Sequence, residues 1–509
     1  MNVAHFFRRN GIARADRPAV ALGRKTLWTW RELCTRAARL AGSLRGRFGL
    51  APGDRVAIFA GNLPQYVELL VGSWWAGLAA VPINARLHPS ELAWIVENAG
   101  ASLLFVDPAL EAAAAAVSAP ELRASVTIGT PSYEALFAAD PVPLAEVPAD
   151  TLAWLFYTSG TTGRPKGAMI THRNLRAMTH AYFLDVDERR PDGCILHAAP
   201  MSHGSGLYIL PQAAIGALQV VPESGGFDEA EIFELAAHFG EATLFVAPTM
   251  LKRLVRHART QGLEPRGFAT IVYGGAPMYL ADLDAAHAVF GFHLAQIYGQ
   301  GESPMTITAL DRRAHADTTH PRWRERLTSA GIPQSVCEVA VHDEADRPLP
   351  PGEIGEIVVR GESVVPGYWR NPQATAETLR GGWLHTGDVG CFDADGFLYL
   401  KDRSKDLVIS GGANIYPREV EDVLLQHPAV REAAVIGLPD PEWGETVVAC
   451  VVAEPGIDAP TLDRFCLDRM ARYKRPRRYV FLESLPKNSY GKILKRELKA
   501  QLLGPRENS

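Results

Sequence analysis

Short apolar runs alternate with amphipathic runs between about residues 150 and 300. Five segments have the length and residue types of buried strands: LAWLFYTS, CILHAAP, TLFVAP, ATIVYGG and LAQIYGQ. Two segments between them, FDEAEIFELAAHF and TMLKRLVRHART, have the apolar spacing of helices, and Asp228 with Glu231 indicates a capping box at the first. This alternation predicts a largely parallel sheet covered by helices, which is an α/β fold.

The pattern changes in the last third of the chain. Between about 331 and 400, strands with tight turns predict a small antiparallel β subdomain. Beyond KDRSKDLVISGG, we predict a helix in YPREVEDVLLQHP, strands in EAAVIGLP and TVVACVVAE, a helix at 459–472 and a strand near RYVFLE. The chain is therefore expected to divide into an N-terminal domain, 1–403, and a compact α+β domain, 404–509.

Two further apolar stretches need a structural interpretation. LLVGSWWAGLAAVPI, at 69–83, is shorter than the roughly 20 residues that span a bilayer, so we predict a buried helix that runs into a strand. EAAAAAVSA, at 111–119, predicts a surface helix. The N-terminus has no apolar segment of signal-peptide length, which favours a cytoplasmic protein.

Composition excludes several classes of protein. The chain has 509 residues, 47% of them apolar and 21% charged, as in folded globular proteins. A formal net charge of -5 predicts no general attraction to nucleic acid or to anionic membranes. The six cysteines are far apart and lack zinc-site spacing, so we interpret them as reduced thiols.

The segment YTSGTTGRPKG, residues 157–167, concentrates hydroxyl side chains, glycines and a lysine directly after a strand. It does not fit a Walker-type loop, because Pro165 precedes the lysine and an apolar strand follows Gly167. Its hydroxyls and backbone N–H groups could wrap a polyphosphate, with Lys166 as a point charge. The alternative is a polar hairpin turn.

Four polar or glycine-rich loops each follow a predicted strand: YTSGTTG, APMSHG, YGGAP and YGQGE. Ligands of open α/β sheets bind beyond the carboxyl ends of the strands. We therefore expect these loops to converge on one crevice.

Six motifs in this order resemble the adenylate-forming superfamily of acyl-CoA synthetases, peptide-synthetase adenylation domains and luciferases. They are YTSGTTGRPKG, YGGAP, YGQGE, WLHTGD, KDRSKDLVISGGANIYPREVE and PKNSYGKILKREL. The resemblance spans essentially the whole chain. It implies an N-terminal domain of two helix-covered sheets with the small β subdomain, followed by a smaller mobile C-terminal domain. Members of this superfamily use ATP to convert a carboxylate into an acyl-adenylate, which a thiol then attacks.

The resemblance assigns catalytic roles to four residues. Lys492 would bridge the carboxylate and the α-phosphate, and Glu302 would ligate Mg²⁺ together with the Thr158 hydroxyl. Lys405 would be the hinge for rotation of the C-terminal domain, and that rotation would bring Gly412 to a thiol tunnel. From the residues alone, Lys492 could equally be one of several solvated lysines in a basic tail.

The resemblance also assigns binding residues for ATP, Mg²⁺ and coenzyme A. Tyr298 would stack on adenine, Asp388 would bind the ribose with help from Arg403, and Trp443 would contact the nucleotide of coenzyme A. The run YKRPRR, 473–478, would bind the phosphates of coenzyme A, although a solvated helix end is the alternative. The full predicted set is Thr158, Ser159, Gly160, Thr161, Thr162, Gly163, Lys166, Gly274, Gly275, Ala276, Pro277, Tyr298, Gly299, Asp388, Arg403, Trp443, Lys474 and Arg475.

The acyl pocket is predicted near APMSHGSGLY and behind YGQG, with His203, Gly204, Tyr208 and Gln300 at the substrate. We expect Gly204 and Gly206 to leave room for the acyl group. No cation is evident in these segments, which favours a largely apolar monocarboxylic acid, either fatty or aromatic. Gly301 stands where the superfamily usually has threonine, so a hydroxyl contact to the α-phosphate would be missing.

These features together predict an ATP-dependent acyl-CoA ligase with small-molecule substrates, no nucleic-acid partner and no membrane span. An acyl-adenylate ligase that loads a separate carrier protein is the alternative. A protein that binds adenylates without catalysis is a third reading, from a different class. The sequence does not determine the oligomeric state, and a homodimer is one option.

Overall fold

The computed structural model describes residues 1–158, 164–276, 278–403, 406–410, 413–487 and 493–503. These residues form 25 strands. The strands are β1 (Pro18–Leu22), β2 (Lys25–Thr29), β3 (Arg55–Ala60), β4 (Ala79–Asn84), β5 (Ala101–Val106), β6 (Ala124–Thr127), β7 (Leu152–Thr158), β8 (Lys166–Thr171), β9 (Cys194–Leu196), β10 (Leu218–Val221), β11 (Ala242–Val246), β12 (Phe268–Gly274), β13 (Leu294–Gln300), β14 (Ser303–Leu310), β15 (Ile332–Pro333), β16 (Cys337–His342), β17 (Gly355–Gly361), β18 (Leu379–Arg380), β19 (Trp383–Phe392), β20 (Leu398–Arg403), β21 (Val408–Ser410), β22 (Ala413–Ile415), β23 (Val430–Asp440), β24 (Gly444–Ala453) and β25 (Arg478–Phe481).

The same residues form 18 α-helices. The helices are α1 (His5–Ala13), α2 (Trp30–Gly46), α3 (Pro64–Trp75), α4 (Pro89–Ala99), α5 (Glu111–Ala114), α6 (Pro131–Glu134), α7 (His172–Ala181), α8 (Gly204–Leu207), α9 (Ile209–Ile215), α10 (Glu229–Phe239), α11 (Pro248–Gln261), α12 (Leu280–Phe290), α13 (Arg312–Ala316), α14 (Trp323–Arg326), α15 (Pro372–Thr378), α16 (Pro417–Leu424), α17 (Ala459–Leu467) and α18 (Lys495–Leu503). Within the described parts of the chain, no helix has the length and apolar character needed to cross a membrane.

Two large sheets carry the first 330 residues. One has six strands in the order β6-β5-β3-β4-β7-β8, and the other has nine in the order β15-β14-β13-β12-β11-β9-β10-β1-β2. Pairing is parallel through the middle of both sheets and antiparallel at β7–β8, β1–β2 and β13–β14–β15. The predicted α/β class with two helix-covered sheets is confirmed.

The alternation from 150 to 300 predicted a single sheet, but the strands that precede the motif loops lie in two sheets. β7 belongs to the six-stranded sheet, whereas β9, β12 and β13 belong to the nine-stranded one. Alternation of strands and helices predicts parallel pairing, but it contains no information about which parallel strands are neighbours. The ends of β7, β9 and β13 nevertheless lie close together, because Phe156 of β7 contacts the His203 ring beyond β9, and a Cβ at Gly301, just after β13, would lie 2.7 Å from the Thr158 side chain.

Two five-stranded sheets follow. The first, β16-β17-β19-β18 with β20 on β19, is antiparallel throughout, as predicted for 331–400. The second, β22-β21-β24-β23 with β25 on β24, forms the core of the C-terminal part with α16, α17 and α18. The boundary at 403/404 stays a prediction, and the proposed hinge residue Lys405 lies outside the described residues.

Three local predictions differ from the structure. Asp228 caps α10 as expected, but the Glu231 carboxylate accepts from the backbone N–H groups of Glu223 and Ser224 instead of completing a capping box. The alanine-rich stretch at 111–119 forms only the short helix α5, and the helix predicted at 459–472 ends at Leu467. By contrast, 69–83 is the buried helix α3 running into the buried strand β4, as expected.

Candidate active site

The predicted phosphate loop joins two antiparallel strands. Thr158 is the last residue of β7 and pairs with Lys166, the first residue of β8. The Lys166 ammonium lies 5.3 Å from the centre of the Tyr368 ring. Residues 159–163, which include the predicted binders Ser159, Gly160, Thr161, Thr162 and Gly163, lie outside the described residues. The two anchors of the loop are therefore fixed, and both belong to the six-stranded sheet.

Glu302 is held by a tyrosine that sequence reasoning missed. The Tyr368 hydroxyl donates to the Glu302 carboxylate at 2.5 Å, and the Glu302 carbonyl accepts from the Val365 N–H at 2.9 Å. Burial and the nearby carboxylate raise the pKa of Tyr368, so the phenol remains a donor at any physiological pH. Tyr368 follows a glycine in an irregular segment, and its role is visible only through contacts distant in sequence.

The donor set fits a magnesium ion shared with a nucleotide. Among the described residues, no group of three or more His, Cys, Asp or Glu side chains could hold a metal. Mg²⁺ commonly binds one or two protein oxygens and completes its shell with phosphate oxygens and water, so Glu302 with the Thr158 hydroxyl is an adequate set. The residue before Glu302 is Gly301, and a Cβ there would lie 2.7 Å from the Thr158 side chain. The residue that precedes one predicted ligand is therefore packed against the other.

Asp388 lies in a buried hydrogen-bond cluster between the nine-stranded sheet and the first small sheet. Its Oδ2 atom accepts from the Tyr298 hydroxyl and from the Gln300 amide, both at 2.7 Å. The Gln300 amide also donates to the Thr386 carbonyl at 3.0 Å. Gln300 was predicted to bind the acyl group, but its side chain is committed to the predicted ribose carboxylate. Arg403 pairs with Asp388 through the backbones of β20 and β19.

The predicted adenine loop begins at the end of β12. Gly274 approaches β13 so closely that a Cβ would lie 2.6 Å from the Ile297 carbonyl oxygen. Gly275 has φ +83° and open space around it, and Ala276 is half-buried. Gly299 packs on Met305, where a Cβ would lie 2.8 Å from the Met305 Cα. Pro277 lies outside the described residues.

The predicted acyl wall is aromatic. The His203 ring stands edge-on to the Phe156 ring with centroids 5.0 Å apart, and His203 Nδ1 lies 2.9 Å from the Ser202 hydroxyl. Burial lowers the pKa of His203 to about 3, so the ring is neutral at physiological pH. Tyr208 is buried and packs on Tyr182 and Phe245, with centroid distances of 5.1 and 5.5 Å.

Gly204 and Gly206 face the protein itself in the direction that a side chain would take, so the space that we expected there is filled, and their contact with the acyl group stays a prediction. A Cβ on Gly204 would overlap the Phe245 ring, and one on Gly206 would overlap the Met201 carbonyl. The glycines instead allow α8 to pack tightly against β11 and against the chain before it. A glycine in a predicted pocket indicates only that something approaches closely, and here that neighbour is the protein itself.

The space beside Gly301 is also filled by neighbouring side chains. An ideal Cβ at this position would lie 2.7 Å from Thr158 Cγ2 and 2.8 Å from Phe156 Cδ1. Real Cβ atoms do not approach other heavy atoms so closely, so threonine at 301 would require Phe156 or Thr158 to move. The departure from the superfamily pattern therefore has a local physical reason.

The cations predicted for coenzyme A differ in their availability. Lys474 is paired with Glu419 at 2.6 Å, and Arg475 is paired with Asp463 at 2.6 Å. Arg477, which was not singled out, is exposed and stacks on Trp443 with its guanidinium carbon 4.2 Å from the ring centre. No ion-pair partner of Arg477 is found in the described parts of the chain.

The basic tail is less solvated than the alternative reading supposed. Lys487, Lys495 and Lys499 form ion pairs at 2.6, 2.8 and 3.0 Å with Glu432, Glu421 and Glu445 respectively. These three lysines are therefore tied to the C-terminal sheet and its helices. Lys492 and Gly412 lie outside the described residues, so their assignments stay predictions.

One helix of the C-terminal part faces the nucleotide loop. The Tyr279 hydroxyl, just beyond the predicted adenine loop, donates to Glu421 of α16 at 3.3 Å. Glu421 also accepts from the Val435 N–H at 2.8 Å. The C-terminal part thus contacts, through α16, the segment that follows the predicted adenine loop.

Comparison with known proteins identifies the family of the chain. The model of the AMP-binding enzyme family matches residues 7–369, and that of the AMP-binding enzyme C-terminal domain matches 419–492. The chain belongs to the AMP-binding enzyme family. This confirms the resemblance seen in the motifs, the fold class and the class of enzyme, an ATP-dependent acid–thiol ligase that forms AMP.

Individual relatives cover nearly the whole chain. The feruloyl-CoA synthase of an Amycolatopsis species is 39% identical over 93% of this chain and 94% of its own. The fatty acid–[acyl-carrier-protein] ligase ScoC of Streptomyces coeruleorubidus is 36% identical over 96% of this chain and 94% of its own. Among solved structures, the o-succinylbenzoate CoA synthetase of Bacillus subtilis, in complex with its acyl-adenylate, has a TM-score of 0.84 and 31% identity, covering 97% of this chain and 98% of its own.

Replacement of Gly206 by alanine tests the packing of the predicted acyl wall. We expect Gly206→Ala to lower the free energy of unfolding by about 1–3 kcal/mol, because the added methyl overlaps the Met201 carbonyl. Chemical denaturation measures the change. Gly226→Ala is the matched control, since its Cβ would meet nothing within 4 Å. A stable Gly206→Ala variant with altered acid binding would mean that this glycine borders the substrate after all.

Proposed function

We propose that the protein activates a largely apolar carboxylic acid, fatty or aromatic, as an acyl-adenylate and transfers the acyl group to the thiol of coenzyme A. The observation that carries the proposal is the convergence of three features on one crevice. They are the strand-anchored loop with Thr158 and Lys166, the Glu302 carboxylate held by Tyr368, and the buried Asp388 cluster. The aromatic wall at His203 adjoins them through Phe156.

The first half-reaction joins two anions. A carboxylate oxygen attacks the α-phosphorus of ATP, the bond to the β-phosphate oxygen breaks, and pyrophosphate leaves with the electron pair. Lys166 and the backbone of its loop would bind the phosphates, and Asp388 would hold the ribose. Mg²⁺ bound by Glu302 and Thr158 would offset phosphate charge and favour departure of pyrophosphate. Lys492 would neutralise the carboxylate and the α-phosphate where they meet.

The second half-reaction replaces AMP by sulfur. The thiol sulfur attacks the acyl carbon and loses its proton. The bond between the acyl carbon and the phosphate oxygen breaks, and AMP leaves. We propose that the C-terminal part rotates about Lys405 between the two steps and brings Gly412 to the thiol tunnel. The contact of α16 with Tyr279 supports an arrangement in which the α16 face of that part lies at the nucleotide loop. Trp443 and Arg477 would bind the nucleotide end of coenzyme A.

The aromatic wall and the relatives bear on the identity of the acid and of the acceptor. The neighbours of His203 and Tyr208 include Phe156, Phe245 and Tyr182, which suit an apolar acid. The feruloyl-CoA synthase favours an aromatic acid and coenzyme A, whereas ScoC favours a fatty acid and a carrier protein. A carrier protein is therefore the second candidate acceptor.

A carboxylate panel tests the function. Fatty acids from short to long chains, benzoates and cinnamates are assayed for AMP release with and without coenzyme A. We expect coenzyme A-dependent release of AMP with one chemical class of acid. Pyrophosphate exchange without any response to coenzyme A would favour a carrier protein, and absence of exchange with every acid would favour an adenylate-binding protein without catalysis.

Replacement of Lys492 tests its assignment. We expect Lys492→Ala to lower the rate of pyrophosphate exchange at least about a hundredfold, because the two anions then meet without the cation. Thioester formation from supplied acyl-adenylate should change little. Lys487→Ala is the matched control from the same tail, and both of its half-reactions should persist. Equal losses in the two half-reactions of Lys492→Ala would contradict the assignment.

Arg477 provides a test of the coenzyme A site. We expect Arg477→Ala to raise the KM for coenzyme A about two- to fivefold, the effect of one exposed cation worth roughly 0.5–1 kcal/mol, with pyrophosphate exchange unchanged. Arg472→Ala is the control, because it removes another exposed cation only five residues earlier in the sequence. If both variants raise the KM equally, general electrostatic attraction explains the effect, and the contact with Trp443 has no special role.

A further inference from the structure

Phe156 stands where the predicted nucleotide site meets the predicted acyl wall. It lies two residues before Thr158, its ring contacts the His203 ring edge-on at 5.0 Å, and it fills the space beside Gly301. The next residue, Tyr157, points to the other face of β7, where its hydroxyl donates to Asn98 at 2.7 Å. Of these two aromatic residues at the end of β7, only Phe156 faces the crevice.

The chemistry of adenylation limits where the acid can bind. Its carboxylate must reach the α-phosphate, on the side of Thr158 and Glu302, while the rest of the acid extends along the wall at His203. The carbon next to the carboxylate, C2, therefore passes beside Phe156. This step rests on the proposed function, because it assumes that an acid is adenylated in this crevice.

The ring has little freedom to withdraw. Phe156 is half-buried, with His203 on one side and the backbone of Gly301 on another. Gly301 is the residue that admits the ring, because any side chain at 301 would need the same space. Phe156 and Gly301 thus form one steric unit. The aromatic side chain from β7 occupies the space that a side chain at position 301, in the loop after β13, would otherwise fill.

We propose that Phe156 closes the space beside C2 of the bound acid, so that the protein accepts acids with an unbranched C2 and rejects acids with a substituent there. Straight-chain fatty acids and cinnamates belong to the accepted class. A methyl group at C2 would meet the edge of the ring. Differences of one methyl group in a confined apolar site change kcat/KM by roughly 10- to 200-fold.

Matched pairs of acids test the proposal. Hexanoate is compared with 2-methylhexanoate, and cinnamate with α-methylcinnamate, by pyrophosphate exchange. We expect the wild type to prefer the unbranched acid of the pair it uses at least about tenfold in kcat/KM. Phe156→Ala should reduce that preference about tenfold by lowering the KM for the branched acid. Phe156→Leu, which keeps an apolar side chain, should give an intermediate preference and covers the case of a poorly folded alanine variant.

Phe183→Ala is the matched control. Phe183 is also half-buried and edge-on to an aromatic ring, Tyr182, at 5.0 Å, but among the described residues it makes no ring contact with His203, and it is not among the nearest neighbours of a Cβ at Gly301. Its substitution should leave the preference for unbranched acids unchanged. An equal loss of preference in Phe183→Ala and Phe156→Ala would overturn the proposal, as would a wild type that does not discriminate.

A second set of variants tests the steric unit itself. Gly301→Ala should lower kcat/KM for the unbranched acid, because its methyl meets Phe156 and Thr158. Phe156→Ala in the same chain should relieve part of that loss, so that the double variant is at least about threefold more active than independent effects predict. Independent effects would overturn the pairing. Inactivity of the wild type on every acid would overturn the proposed function and this inference together, whereas activity with unchanged preference would overturn the inference alone.

Discussion

The hydrogen bond from Tyr368 to Glu302 connects the two large sheets at the crevice. Residues 367–369 run alongside β8, where the Gly367 carbonyl accepts from the Met169 N–H and the Trp369 N–H donates to the Gly167 carbonyl. The Tyr368 hydroxyl then reaches Glu302, which follows β13 of the other sheet. A partly buried hydrogen bond to a charged group contributes roughly 1.5–3 kcal/mol. The relative position of the phosphate loop and the predicted metal carboxylate thus depends on a segment that belongs to neither motif.

Sequence patterns predicted the helices and strands better than they predicted which elements and residues contact one another. The strands before the four motif loops, the antiparallel sheet near 331–400 and the buried 69–83 stretch follow from local periodicity, which each short segment contains in full. Other features depend on residues that are far apart in the chain. Tyr368 donates to a carboxylate 66 positions away, and Gln300 donates to Asp388, 88 positions away. The placement of β7 in a separate sheet likewise depends on distant strands. A single sequence carries no local signal for such contacts.

Small residues show why the candidate site was only partly predictable. A glycine permits close approach, but the sequence does not say whether a ligand or the protein approaches. The space beside Gly204 and Gly206 is filled by Phe245 and Met201, and the space beside Gly301 by Phe156 and Thr158, whereas Gly275 has open space beside it and φ +83°. Glycine therefore accompanies close packing of the protein at three positions and open space at one.

The C-terminal sheet packs different segments of the chain on its two faces. Along β23, Ala433 and Val435 face the core that contains α16, whereas Ala434 and Ile436 face the core that contains Ile493 and Leu498 of the tail. Successive strand residues point to opposite faces, so one sheet separates the two segments. The segment before α16 carries the predicted tunnel residue, and the segment before Ile493 carries the predicted adenylation lysine. Because each face has its own apolar core, the rotation that we propose for this part would require no change in the packing of α16 or of the tail on the sheet.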